Sequence, residues 1–274
     1  MTTAVEKRPL ILRSQGHRHG PITRLISPGD IGEMVKPFVF LDYVNAPSGP
    51  GFGFHPHSGI ATLTHPLTFD IEHEDSSGQI DVVRQGGVEW VVAGSGLWHR
   101  ARPLGGGPVQ GFQLWFALPP AHESDAACAQ FIAAEHIPKV GPVVVLLGNH
   151  GDARSPITTS LDANCFVVNL NAGEVWEYAP PATHEVAWAF VQRGVIAVNG
   201  ESLSDELAVF GGDSGVLEFC ASTPCRVLVG SAARHEHPLV LGPHSVHTSE
   251  SALASGLRHI ADIGLQLKHQ GRLA

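Results

Sequence analysis

Thirteen residues from Phe54 to Pro66 read FHPHSGIATLTHP. His55 and His57 stand one residue apart, and in a strand residues i and i+2 project from the same face while the residue between them, here Pro56, points away. Two imidazoles so placed can chelate. Proline removes a ladder donor and belongs at an edge, bulge or rim, so the stretch PSGPGFGFHPHSG suits a barrel rim, where a site can open to solvent or substrate. Further along, the apolar run VEWVV and the turn Ala93-Gly94-Ser95-Gly96 lead into a second strand that carries His99. Three neutral imidazoles on rigid strands can hold a divalent transition metal and leave a coordination position for water or substrate. The same spacing also suits hydrogen-bonded barrel histidines, and spacing alone leaves both readings open.

The elements that must carry these side chains are short. Runs such as FVFLDYV, GIATLTHPL, QIDVVRQ, VEWVVAG, FQLWFAL, PVVVLL and CFVVNL are punctuated by 31 Gly and 20 Pro, which predicts an all-β chain of many short strands in barrels or sandwiches. The second half repeats the texture in VAWAFVQRGVIAVNG, ELAVFGGDSGVLEF and RVLVGSA, so two similar β domains are expected, with a boundary near residue 138. Just before that boundary an Ala-rich patch, Asp125 to Ala134, predicts one or two helical turns. Near the C-terminus, Thr248 or Ser249 can cap a helix with Glu250 in its first turn and Leu253, Leu257 and Ile260 at helical spacing. Gly256 weighs against that helix, because interior glycine costs about 1 kcal/mol relative to alanine.

Composition narrows the function classes. A chain of 274 residues can bury a core without disulfides. The four cysteines, Cys128, Cys165, Cys220 and Cys225, form no CxxC pair, which excludes a zinc ribbon or thioredoxin-like motif and points to a reducing cytoplasm. The N-terminus lacks a secretory pattern and no run approaches 18 uninterrupted apolar residues, so a soluble, unexported protein without a membrane partner is expected. With 17 basic residues against 26 acidic ones, a net charge of -9 and no Lys/Arg stripe, direct nucleic-acid binding is disfavoured.

Four stretches, FGFHPHSGIATLT, HEDSSGQI, VEWVVAGSGLWHRARP and GFQLWFALP, resemble in order and interval the signatures of the pirin family, roughly HPHRGFETVT, HxDSxG, GDVQWMTAGRGIxHSE and GLQLWxNLP. The likeness continues through FVQRGVIAVNGESLSDELAVF and PLVLGPHSVHTSESALASGL. The resemblance implies a bicupin: two face-to-face cupin β-barrels with a short C-terminal helix, one mononuclear metal site lying in the N-terminal barrel. Residues 1–138 would form that barrel, and residues 139–274 the second barrel and the helix. Family members are described as iron-binding, some as quercetin 2,3-dioxygenases that open a flavonol ring with O2, others as co-regulators acting through proteins.

Carried over by motif, the resemblance makes His55, His57 and His99 the metal ligands and places Gln113, in GFQLWF, beside the metal pocket. It also implies an acid two residues after the third histidine and another four residues after the second, where this chain has Ala101 and Ala61. Three imidazoles with no acid beside them would favour zinc or nickel over iron, with low dioxygenase activity. Glu89, Arg100 and Arg102 are expected on outer strand faces, and His73 in a structural hydrogen bond. His17, His19, His235 and His237 are expected in exposed segments, and GGDSGV, which echoes a protease nucleophile, in a glycine turn. The leading reading is a metal-dependent dioxygenase acting on a small aromatic substrate such as a flavonol. The alternatives are a non-enzymatic regulator that docks on a protein partner, and a bicupin without metal whose three histidines form a hydrogen-bonded cluster.

Overall fold

Short β-branched and aromatic runs broken by Gly and Pro pair rather than coil. In the computed structural model, which describes residues 6–49 and 51–273, they form a mostly β bicupin fold. The chain forms two compact units. One takes the described residues up to His17 together with Ile137–Arg234, and the other takes the described residues of 18–136 together with those from His235 onward. The C-terminal helix, Glu250–His269, therefore belongs to the unit that carries the HxH motif.

In that unit the strands are β1 (Ile22–Ile26), β2 (Phe38–Ala46), β3 (Phe52–His57), β4 (Ile60–Pro66), β5 (Asp70–Asp75), β6 (Ile80–Val83), β7 (Val88–Val92), β8 (Leu97–Leu104), β9 (Val109–Ala117) and β10 (Cys128–Ile132). β10, β7, β4, β9, β2 and β1 run in that order through one sheet, and β3, β8, β5 and β6 make a second. Every pairing is antiparallel. Register sets the chemistry: His99 lies opposite His55 on β3 and opposite Asp75 on β5, and Ala101 lies opposite His73. Because side chains alternate, Leu97, His99 and Ala101 share the inward face of β8. Leu97 joins Phe40, Ile60, Val91 and Trp115 in a buried apolar cluster.

The Ala-rich patch does not coil. Cys128–Ile132 is a strand that pairs with β7, from Cys128 opposite Val92 to Ile132 opposite Val88, and only Ala134–His136 makes a single 3-10 turn. Helix propensity differs among residues by less than about 1 kcal/mol. A sheet edge that offers five paired residues, with Ala127 and Ala129 packed on the apolar cluster, outweighs it.

The C-terminal helix forms as expected, with Ser249 Oγ accepting the Ala252 N–H at 3.2 Å. Its buried stripe is Leu253, Gly256, Ile260, Gly264 and Leu267. A Cβ at Gly256 would lie 2.6 Å from both His247 Nε2 and Ser58 Oγ, and one at Gly264 would lie 2.9 Å from the Trp98 ring. Trp98 Nε1 donates to the Ile260 carbonyl at 2.6 Å. Glycine thus lets the helix come close enough to bury its stripe, which offsets its poor propensity.

The other unit has a seven-stranded sheet whose order includes Leu10–Ser14, Leu207–Phe210, Val186–Arg193, Cys225–Ala232, Ala163–Leu170 and Val143–Leu147. A four-stranded sheet accompanies it. Its core is apolar, with Val145, Phe166, Val168, Ile196, Phe210 and Phe219 each at most 2% exposed. GGDSGV forms the turn between Leu207–Phe210 and Leu217–Ala221.

Candidate metal centre

Adjacent antiparallel strands bring the three histidines together. The ring centroids of His55 and His57 lie 4.9 Å apart, those of His55 and His99 4.5 Å, and those of His57 and His99 5.1 Å. One ligand atom from each lies within 4.8 Å of the others, and no carboxylate joins this group among the described residues. The backbone sets the tautomers of two of them. His55 Nδ1 faces the Gly53 carbonyl at 2.7 Å and His57 Nδ1 faces the His244 carbonyl at 2.9 Å. Only a protonated Nδ1 can donate there, so in the neutral ring Nε2 keeps its lone pair.

The three nitrogens meet little competition. His57 Nε2 and both ring nitrogens of His99 are buried without a hydrogen-bond partner among the described residues. These rings are therefore not a hydrogen-bonded cluster. Burial, reinforced by the neighbouring imidazoles, pushes His57 down to about 3 and His99 well below the usual histidine range. His55 is lowered as well, chiefly by burial. All three are neutral at pH 7, the form that binds metal. Unpartnered buried nitrogens with fixed tautomers fit a nitrogen-preferring divalent transition ion.

Ala101 occupies the next inward position on β8 and lines a small cavity of about 60 Å³ with Asp42, Ile71, Phe112 and Gln113. Ala61 alternates to the opposite face of β4 from Ile60, which packs in the apolar cluster with Leu97 and Trp115. A longer side chain at 61 would start away from the three rings. Gln113 lies in the wall of both the small cavity and a larger pocket of about 550 Å³. That larger pocket is floored by His55 and His57 and reaches Arg24, Phe40, Trp115 and His244. Phe40 and Trp115 stack at 4.1 Å, with the Arg24 guanidinium 4.0 Å above the Phe40 ring. Arg24 also forms a two-pronged ion pair with Asp42, whose carboxyl burial raises against the pull of that partner.

Two expectations fail. Glu89 is 1% exposed and faces inward on β7, with its Oε1 2.6 Å from His73 Nδ1. That contact lies out of line for a hydrogen bond. The alternation in VEWVV is the same whichever face the sheet buries, so pattern alone cannot assign Glu89. His235 is buried at 7% exposure although RHEH reads as a polar loop, whereas His17 and His19 are exposed. Arg100 and Arg102 do point outward, to Glu74 and Glu72. His73 is fully buried; burial alone would lower it, but Asp75 and Glu89 outweigh that and raise it to about 9. His244 and Asp75 lie in stretches that resemble the family's, but no ligand spacing singled either out: the first lies 187 residues beyond His57, and the second is set beside His99 only by strand register.

A family model described as Pirin matches residues 21–116. A pirin-like protein of Caulobacter vibrioides is 31% identical over 210 residues, covering 68% of this chain and 69% of its own. The crystal structure of a quercetin 2,3-dioxygenase from Acinetobacter baumannii shares the fold with a TM-score of 0.87 at 24% identity, over 94% of this chain and 98% of that one. A bacterial pirin from Escherichia coli, solved in complex with nickel(II), gives 0.66 at 21% identity over 80% of this chain and 95% of its own. From its motifs, its strand order and these relationships, the chain belongs to the pirin family.

Proposed function

We propose that this pirin holds one divalent transition ion on His55, His57 and His99, and that the pocket above them takes a small, flat molecule with an acidic oxygen. The observation that carries the reading is the convergence of buried imidazole nitrogens that have no protein partner. A bound ion would supply Lewis acidity at the pocket floor. The chain's own side chains do the rest: Phe40 and Trp115 line the pocket with aromatic surface, and Gln113 offers an amide that orients the ligand, while Arg24 is held by Asp42. The nickel(II) complex of the Escherichia coli relative supports a nitrogen-rich site that takes metals other than iron.

With alanine at 101 the three-histidine group has no acid to accept a substrate proton. Asp42, an acid in the pocket wall, is engaged by Arg24. The reading is therefore a cytoplasmic zinc or nickel pirin with weak flavonol 2,3-dioxygenase activity. Metal analysis of protein purified without a His-tag, combined with oxygen uptake on quercetin after reconstitution with iron, manganese, cobalt or nickel, tests it. One tightly held iron per chain, or absence of metal binding, would overturn it. The absence of an acid at position 101 also favours a second reading, a regulatory pirin that binds a protein partner. A partner captured equally with and without chelator, alongside no oxygen uptake with any metal, would select that reading.

A further inference from the structure

We propose that Glu89 supplies the negative charge of the metal site, acting through His99 from inside the barrel in place of an acid at position 101. The proposal rests on the three-imidazole reading above. Ligand-type atoms of His73, Glu89 and His99 lie within 4.8 Å of one another, and all three residues are buried. His99 therefore belongs to two groups, one of imidazoles and one that contains Glu89, with neither ring nitrogen partnered.

The acidic cluster is built rather than incidental. Glu89 sits 2.6 Å from His73, whose other nitrogen lies 3.8 Å from Asp75 Oδ2. Asp75 Oδ1 accepts from Ser77 N, Ser77 Oγ and Gln79 N, which holds it as a carboxylate beside its cross-strand neighbour His99. Two carboxyl groups flank one imidazole, so the cluster holds more acid than base. A ring that binds a cation through one nitrogen holds its proton on the other, and a carboxylate facing that side raises the ring's basicity and fixes its orientation. The chain thus keeps an acid for the site, moved from β8 to β7, where no ligand spacing reveals it.

Cobalt(II) affinity of the full chain, measured by chelator competition, tests the proposal. Glu89→Gln is expected to weaken binding about 10- to 100-fold and to shift the cobalt ligand-field spectrum, effects in the range found for groups that support ligands. Ala101→Glu should gain less than about threefold in the wild-type background but restore most of the loss in the Glu89→Gln background, the coupling of two residues with one role. Binding by Glu89→Gln within about threefold of wild type, while His57→Ala abolishes it, would overturn the proposal and leave the three-imidazole reading standing. Should Glu89→Gln not fold, the single Ala101→Glu variant decides: a gain above about tenfold shows an uncompensated site and overturns the proposal. Unchanged binding by His57→Ala would remove the three-imidazole reading itself, and this proposal with it.

Discussion

Each β unit buries histidine, and His184 in one contrasts with His99 in the other. His184 Nδ1 contacts Ser231 Oγ at 2.7 Å and its Nε2 contacts Asp162 at 2.8 Å. Ser231 continues to Tyr178, which accepts from Asn164. Both nitrogens are satisfied, and the surrounding core is aliphatic and aromatic. His99 is equally buried, yet neither of its nitrogens has a partner, and its neighbours are three other imidazoles and a carboxylate. An unpaired buried polar group costs roughly 1–3 kcal/mol. On the proposed function, a fold that keeps several such groups in one barrel and closes its histidine network in the other has one unit arranged for binding and one for stability.

The stability side can be broken most severely. Phe166→Ala, in the apolar core, should lower the unfolding free energy by about 3–5 kcal/mol in urea titrations while leaving nickel affinity unchanged. On the binding side, His57→Ala should weaken nickel or cobalt by more than the roughly 100-fold reached when only a supporting group is removed, whereas His184→Ala should leave metal affinity intact. Competition with a chelator reads both variants.

Acid sharpens the same contrast. For the metal-free protein, His57 and His99 titrate lower when folded than their unfolded value of 6.5, His57 falling to about 3. The unfolded chain then binds more protons, so below about pH 6.5 stability should fall by up to about 1.4 kcal/mol per pH unit for each group. His73 behaves oppositely: its contribution is complete below pH 6.5 and is lost as pH rises through about 9. His57→Gln should flatten the acid limb of stability measured by denaturant titration between pH 7 and 5, and an unchanged slope would contradict the burial of that ring. The smallest expected effect is at the helix. Gly256→Ala, stabilising by helix propensity, should instead destabilise by about 1–3 kcal/mol, because its Cβ meets Ser58 and His247.

Local pattern carried far. The short runs and turn residues announced an all-β chain, the HxH spacing and the strand after Gly96 announced three imidazoles, and Ser249 announced a helix start. The Ala-rich patch and Glu89 misled, because propensity and alternation are weak wherever the partner strand or the buried face is unspecified.

The amino-acid sequence by itself determined the β-branched and aromatic strand runs and which histidines share a strand face, since alternation and turn chemistry act over a few residues, but not the strand at Cys128–Ile132. Only the tertiary structure decided that Glu89 points inward, that the His244 carbonyl orients His57, and that the residues from His235 onward join the HxH unit. Those outcomes depend on register and burial between segments up to about two hundred positions apart in the chain, where pairing, not neighbouring residues, sets the geometry.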